Sequence, residues 1–486
     1  MNINEREVDV KMKAKKGTIF LLLGLLTVLL TGCFLVILLN VTGKDTEETE
    51  TPNLAMFSAY TDHELYQEIP ALVTGTSKIG KVVDHGKKNF ILDVTGTTVD
   101  DYKAYLSTVE KAGFKKHSDN GEDAMEGNVY LTTFTKDNLV LTVTQVVNLD
   151  KTMVSVSQDL PLSEHLTYKE EYVKDNVEGA KTKIHLFQLN DNGTCFIIQL
   201  KNGHFVLHDS ATNKDAKYLV EYLEELTPGD EKPVIEGWFI SHGHGDHTGG
   251  LKTIAIDSLL SKRLIVNGGY FVQPSTQLLL TLGMADEGTV RSAFRSFRTE
   301  NGDRTETYRT QFGQRYYFND IMIDVSMTCE MFGADTVYNA DYNETSSFYM
   351  NYIDGQKFFT TGDGSHTGMR LLMGIFPEEY FDVEVFAVSH HGINTYNYFT
   401  DYCTVDTALF TSFRMGSLYT SPNLKSSRIE ETAYLLENVK EAYHHGDGTV
   451  VLTFPYKVGT AETLPMSDWR YNMKNPGSPD RSEWGE

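Results

Sequence analysis

The sequence predicts an α/β protein preceded by a transmembrane helix and a small α+β module. Three observations carry that prediction. From Lys183 onward, short apolar runs alternate with segments of helical periodicity. Residues 85 to 160 read as strand, helix and three further strands. Between Lys16 and Lys44 no side chain is charged. With 486 residues the chain exceeds what one compact core usually fills, so several folded units are expected.

Taken in order, residues 1–17 form a basic tail, with Arg6, Lys11, Lys13, Lys15 and Lys16 ahead of the apolar run 18–40. As a helix that run is roughly 34 Å long, enough to cross a hydrocarbon core of about 30 Å. Only Lys44 follows before residue 60, so the charge bias places the N-terminus in the cytoplasm and the rest outside. The expected location is a single-pass signal anchor in the cell membrane, with the membrane itself a partner through 18–40. A cleaved signal peptide is one alternative. Lipidation at Cys33 is another, since Leu30-Thr31-Gly32-Cys33 is like a lipoprotein cleavage box, but Phe34 to Leu39 stay apolar where such a chain turns polar. Residues 41–56 are acidic and polar and read as a solvated linker.

In the 85–160 module, Asn89 to Val94 form a strand, and Thr98 with Asp101 opens a helix in a capping-box arrangement. Val99, Tyr102, Leu106 and Val109 recur at helical spacing until Gly113. Val129 to Thr135 and Leu139 to Val147 form a hairpin, and Met153 to Ser157 a further strand. His85 and His117 are isolated, and a spacer or binding module is the expected role.

The domain over 183–455 begins with strands at Ile184 to Leu189, Cys195 to Leu200 and His204 to His208. A helix carrying Ala216, Leu219, Val220, Leu223 and Leu226 on one face ends before Pro228-Gly229. The strand Val234 to Ser241 then runs into His242-Gly243-His244-Gly245-Asp246-His247-Thr248-Gly249-Gly250. In extended backbone, His242 and His244 point to one side and can converge on one metal. Asp246 and His247, where the chain turns into a helix, can address a second ion. Imidazole and carboxylate donors suit zinc, with manganese or iron as alternatives. The tail 465–486, rich in Pro, Ser, Gly and charge, is expected to be disordered.

This motif resembles that of the metallo-β-lactamase superfamily, His-x-His-x-Asp-His at the end of a strand. Phe358-Phe359-Thr360-Thr361-Gly362-Asp363 is similar to the strand and turn bearing the family's metal-bridging aspartate. Val383 to Ser389 followed by His390-His391-Gly392 resembles the late histidine ligand, and Asp209 the aspartate that braces the metal loop. The resemblance implies an αββα sandwich. The paired histidine, Asn343 to Ser347 and Asp447-Gly448-Thr449-Val450 look most like the competence-protein (DNA-uptake nuclease) branch. The family usually has a further histidine before the bridging aspartate, but none occurs between His247 and His366. The first site then has His242, His244 and Asp363, with water or Asn267 filling the gap. The second has Asp246, His247, Asp363 and one of the paired histidines, His390 being favoured because it lies at the strand end.

The resemblance implies two divalent ions and a metal-dependent hydrolase, a phosphodiesterase or related phosphate esterase, with a metal-bridging hydroxide as nucleophile. Asp246 would orient that water. His391 would protonate the leaving group, with His445 a second candidate for that role or for touching substrate; His366 is a loop residue or a support for Asp363. The alternatives are an amide, lactone or thioester hydrolase on the same fold, or a surface metal-binding protein without turnover.

Composition bears on the substrate. There are 43 basic and 67 acidic side chains, a net charge of −24, nearly all of it after the apolar run. That excludes a nucleic-acid coat, because phosphates need Lys and Arg to displace counterions. It also favours a small or cell-wall-bound anionic ester over long nucleic acid. Four cysteines exclude a disulfide scaffold; Cys195, Cys329 and Cys403 are read as free thiols. Arg291, Arg295 and Arg298 would share one helix side and could meet an anion, and Asn192 and Asn343 begin glycosylation-like triplets.

Overall fold

The computed structural model describes residues 64–72, 78–84, 89–189, 193–272, 306–328, 331, 343, 346–364, 366–392, 397–412 and 426–464. The expected tail, anchor and linker over 1–56, the tail 465–486, His85, Asn192, the arginine trio and Cys329 lie outside them. Among the described residues no helix is long and apolar enough to cross a membrane.

The small module is a six-stranded antiparallel sheet crossed by one helix. Its strands are β1 (Lys78–Asp84), β2 (Asn89–Thr95), β3 (Lys115–Asp119), β4 (Val129–Lys136), β5 (Leu139–Val146) and β6 (Lys151–Gln158), in spatial order β1-β2-β6-β5-β4-β3. Helix α1 (Val99–Lys111) starts at the expected capping box, where the Thr98 hydroxyl and the Asp101 carboxylate each accept the other's backbone N–H. Its Tyr102, Tyr105 and Val109 are buried with Phe90, Leu92, Leu141 and Val154 of the sheet. The sequence reading missed the two edge strands. β3 reads Lys-Lys-His-Ser-Asp and is mostly exposed, so it carries no apolar alternation; such polar edges also resist pairing with other chains.

The module is not a detached spacer: it belongs to one compact unit with everything from Tyr60 onward. Met125, Val129 and Val146 share a core with Phe312, Met327 and Phe376. Buried polar contacts fix the seam: Arg309 Nη2 donates to Ser157 Oγ at 2.6 Å and Asn120 Nδ2 to the Gly313 carbonyl at 3.1 Å.

The remainder is a sandwich of two sheets with helices on both outer faces. The first sheet holds β7 (Lys183–Leu186), β8 (Phe196–Gln199), β9 (Phe205–His208), β10 (Val234–Ile240), β11 (Ile265–Val266), β12 (Tyr270–Val272), β13 (Thr307–Arg309), β21 (Thr449–Thr453) and β22 (Glu462–Leu464). The second holds β14 (Arg315–Phe318), β15 (Ile321–Met327), β16 (Phe348–Ile353), β17 (Gln356–Thr360), β18 (Val383–Ala387), β19 (Val405–Phe410) and β20 (Glu441–His444), side by side in chain order. Strand periodicity sorts the layers. In β8, Phe196 and Ile198 enter the inter-sheet core with Phe239, Tyr349, Phe358 and Val385, while Ile197 faces outward. Outside the first sheet lie α2 (Ala216–Leu226) and α3 (Gly245–Ile256), through Leu219, Leu223, Leu251 and Ile254. Outside the second lie α4 (His366–Ile375) and α5 (Ser426–Asn438), through Met369, Leu372 and Leu435.

β9, β10 and β12 run parallel, as do β17, β18, β19 and β20. Loops leaving the carboxyl ends of these strands carry the motifs, the usual place for a site in such sheets. Helix α3 is pressed onto the loop after β9: a Cβ on Gly250 would stand 1.9 Å from the Ser210 carbonyl oxygen. Gly250→Ala should therefore lose about 1–3 kcal/mol of unfolding free energy, read as a lowered urea midpoint. An unchanged midpoint would show that the helix moves away at no cost.

Candidate metal centre

β9 ends at His208, and the next residue, Asp209, takes a left-handed backbone (φ +58°) that turns its carboxylate toward the end of β10. There it accepts the Ser241 N–H at 2.7 Å and the Ser241 hydroxyl at 2.8 Å. Its Oδ2 also lies 2.8 Å from His247 Nδ1, and Ser241 Oγ lies 3.0 Å from His242 Nδ1. One buried aspartate thus presents Nε2 of His247 directly, and Nε2 of His242 through a serine, to the same space. Outer partners of this kind fix the tautomer of a ligating histidine. Asp209 has the bracing position the sequence suggested; Ser241 carries no sequence signal.

Two donor groups result. His242, His244 and Asp363 form one, and Asp246, His247, Asp363 and His391 the other; within each, the candidate ligand atoms all lie within 4.8 Å of one another. Asp363 is common to both and divides its oxygens between them. Oδ1 is 2.9 Å from His247 Nε2 and 3.8 Å from His391 Nε2, whereas Oδ2 is 3.8 Å from His242 Nε2. Asp363 is held by its own N–H, which donates to Ser346 Oγ at 3.2 Å, and Ser346 Oγ is 3.3 Å from His242 Nδ1.

The donors fit divalent ions. His247 Nε2 and Asp363 Oδ1 are buried and face each other at 2.9 Å. A proton or a cation must compensate the carboxylate there. Burial opposes charge on His247, but the Asp363 and Asp209 carboxylates outweigh it and hold its pKa well above the ordinary value. Burial, reinforced by the neighbouring His247, pushes His242 well below. Burial works against ionised Asp363 too, yet His247 and His391 keep its pKa well below the usual carboxylate range. Nitrogen and oxygen donors in groups of three and four are a zinc-like set.

Of the adjacent histidines, the structure groups the second, not the first, with the other donors. His391 joins Asp246, its Nε2 3.0 Å from Oδ2, while His390 Nε2 stands 3.6 Å from Asp363 Oδ2 outside either group. The cause lies in the backbone. After β18, His390 (φ +49°), His391 (φ +57°) and Gly392 (φ +83°) are all left-handed, and the turn carries the second imidazole inward. Left-handed non-glycine residues cost on the order of 1–3 kcal/mol each and cluster at functional sites. The turn is pinned by His390 N–H donating to the Gly362 carbonyl at 3.1 Å and by Ser389 Oγ donating to the Gly364 carbonyl.

Three other expectations are corrected. His445 is not the exposed turn residue expected: it is fully buried, and burial pushes its pKa down to about 3, so it is an uncharged imidazole inside the fold. Asn267 is exposed and donates to Glu236 at 3.3 Å; its N–H bonds the Ile235 carbonyl, at the other end of β10 from the metal loop. It cannot complete the first group. His366 is half-buried and opens α4. Cys195 and Cys403 are free thiols, as expected.

Fold and site form an αββα sandwich with a candidate metal centre at one edge, the arrangement that the resemblance in the motifs implies. No family model matches the chain, and no curated protein matches it. Among similar solved structures is the metallo-β-lactamase-fold protein YhfI from Bacillus subtilis, with 8% identity over 54% of this chain and 96% of that one, TM-score 0.35. Another is Zn2+-bound PqqB from Methylobacterium extorquens, with 9% identity over 54% and 97%, TM-score 0.34. A diphosphatase of the PhnP family has 13% identity over 54% and 86%, TM-score 0.29.

Proposed function

We propose that the chain is a metal-dependent hydrolase of phosphodiesters or related phosphate esters, using two divalent ions, zinc or alternatively manganese. The observation that carries this reading is the pair of donor groups sharing Asp363. Ions held there supply a water of lowered pKa and positive charge beside a phosphate oxygen. The chain's residues do the rest. Asp246, whose side chain is 35% exposed, is the carboxylate at the mouth of the centre that orients the attacking water. His390 is also at the mouth; burial lowers its pKa, so it meets a leaving-group oxygen as a neutral hydrogen-bond donor. The paired histidine followed by glycine supports a likeness to the competence-protein branch. The uncharged run after Lys16 and its basic flank support a membrane anchor with the site outside the cytoplasm. With a net charge of −24, a small or wall-bound anionic ester is the better substrate than long nucleic acid.

The test is hydrolysis of bis(p-nitrophenyl) phosphate by the detergent-solubilised full chain loaded with zinc. Turnover should vanish with chelator and return with metal, and Asp246→Asn should lower it about 10²–10³-fold. Zinc-loaded protein that is inert on phosphate esters but opens lactams, lactones or thioesters would overturn the substrate class. Inertness on every ester would leave a metal-binding protein without turnover.

A further inference from the structure

A closed circuit of contacts runs behind the second donor group. Asp246 Oδ2 lies 3.0 Å from His391 Nε2; on the far side of the ring, His391 Nδ1 lies 2.9 Å from Thr411 Oγ1. Thr411 Oγ1 accepts the Thr194 hydroxyl at 3.3 Å, and the Thr194 N–H returns to the Asp246 carbonyl at 3.0 Å. Every contact except that at Asp246 Oδ2 is buried, with Thr194 6% and Thr411 2% exposed. The circuit joins four separate segments: the approach to β8, the start of α3, the turn after β18 and the end of β19.

We propose that Thr411 and Thr194 are positioning residues that assemble the second metal group by fixing the His391 ring against Asp246. The inference rests on the metal reading of the site and not on the identity of the ester. For His391 to offer Nε2 to a cation, Nδ1 must carry the proton and donate it. Two acceptors stand ready, the Thr411 carbonyl at 3.0 Å and its hydroxyl at 2.9 Å. The carbonyl alone fixes the tautomer. Only the hydroxyl extends the link to Thr194, and through it to the backbone of Asp246. Without it the ring keeps its proton but loses its registration against the other ligand. Gly193 belongs to the same device: a Cβ there would come within 2.9 Å of the Asp246 carbonyl oxygen, so the Thr194 segment lies directly against the start of α3. The His242, His244 and Asp363 group takes no part in the circuit and serves as an internal reference.

The experiment is calorimetric zinc titration of the metal-stripped full chain and of Thr411→Val, Thr411→Ser, Thr194→Val and the double valine variant. Wild type should bind two equivalents. Thr411→Val should weaken one of them about 10–100-fold and leave the other unchanged, and Thr411→Ser, which restores the hydroxyl, should recover it. Because both threonines act in one circuit, the double variant should be no worse than the more impaired single variant. Urea midpoints of the metal-free proteins report any general loss of fold, and Thr411→Ser isolates the hydroxyl should the valine variant unfold. Two equivalents at wild-type affinity in Thr411→Val, additive losses in the double variant, or no rescue by serine would each overturn the proposal while leaving the metal centre standing. A wild-type chain that binds no zinc would overturn both.

Discussion

Asp363→Asn should reduce the zinc stoichiometry of the full chain from two toward zero and lower turnover on the order of 10³-fold or more. No other residue is shared by the two donor groups, and each of its oxygens addresses a different one. The amide keeps the shape of the carboxylate, so the loss reads out charge and ligation rather than packing. It also leaves His247, 2.9 Å away, facing a neutral partner. Calorimetry and turnover on one sample, with circular dichroism as a control for folding, check the result. Retention of both equivalents would mean that the groups bind independently and that Asp363 only supports His247.

The second large effect separates the paired histidines. His391→Ala should remove one metal equivalent and with it nearly all turnover, because His391 lies in the four-residue group and is only 3% exposed. His390→Ala should retain two equivalents and lose about 10–100-fold in turnover, as expected for a hydrogen-bond donor to the leaving group. Stoichiometry is the decisive measurement, since both variants slow the reaction. The reverse pattern would restore the assignment made from strand position alone.

The placing of these two histidines shows where sequence stops informing. Chemistry local to the chain was legible: His242, His244, Asp246 and His247 follow one strand within six residues, and Asp363 follows another. The alternating apolar pattern gave β8 to β10, and Thr98 with Asp101 gave the start of α1, because pleat and cap are short-range properties. The choice between His390 and His391 depends on three consecutive left-handed residues, of which only Gly392 announces itself by type. Ser241, Ser346, Thr194 and Thr411 were invisible for another reason. Their role comes from segments brought together by the two sheets, 217 positions apart for the two threonines. Asn267 failed because spacing along the chain cannot say which end of a strand a residue occupies. His445 failed because a turn rich in His, Gly and Asp is exposed in most contexts; here Asp447 is exposed, but the His445 side chain is fully buried.

The division of the ligands has a mechanical consequence. His242, His244, Asp246 and His247 hang from β10 in one sheet, while Asp363 and His391 hang from β17 and β18 in the other. Ions bound there as proposed would act as rivets across the sandwich, adding cohesion that the apolar interior supplies elsewhere. At free metal a thousandfold above its dissociation constant, each would contribute about 4 kcal/mol. On the proposed function, metal supply would then set how firmly the sheets are closed, and a starved population of the protein would be a looser one.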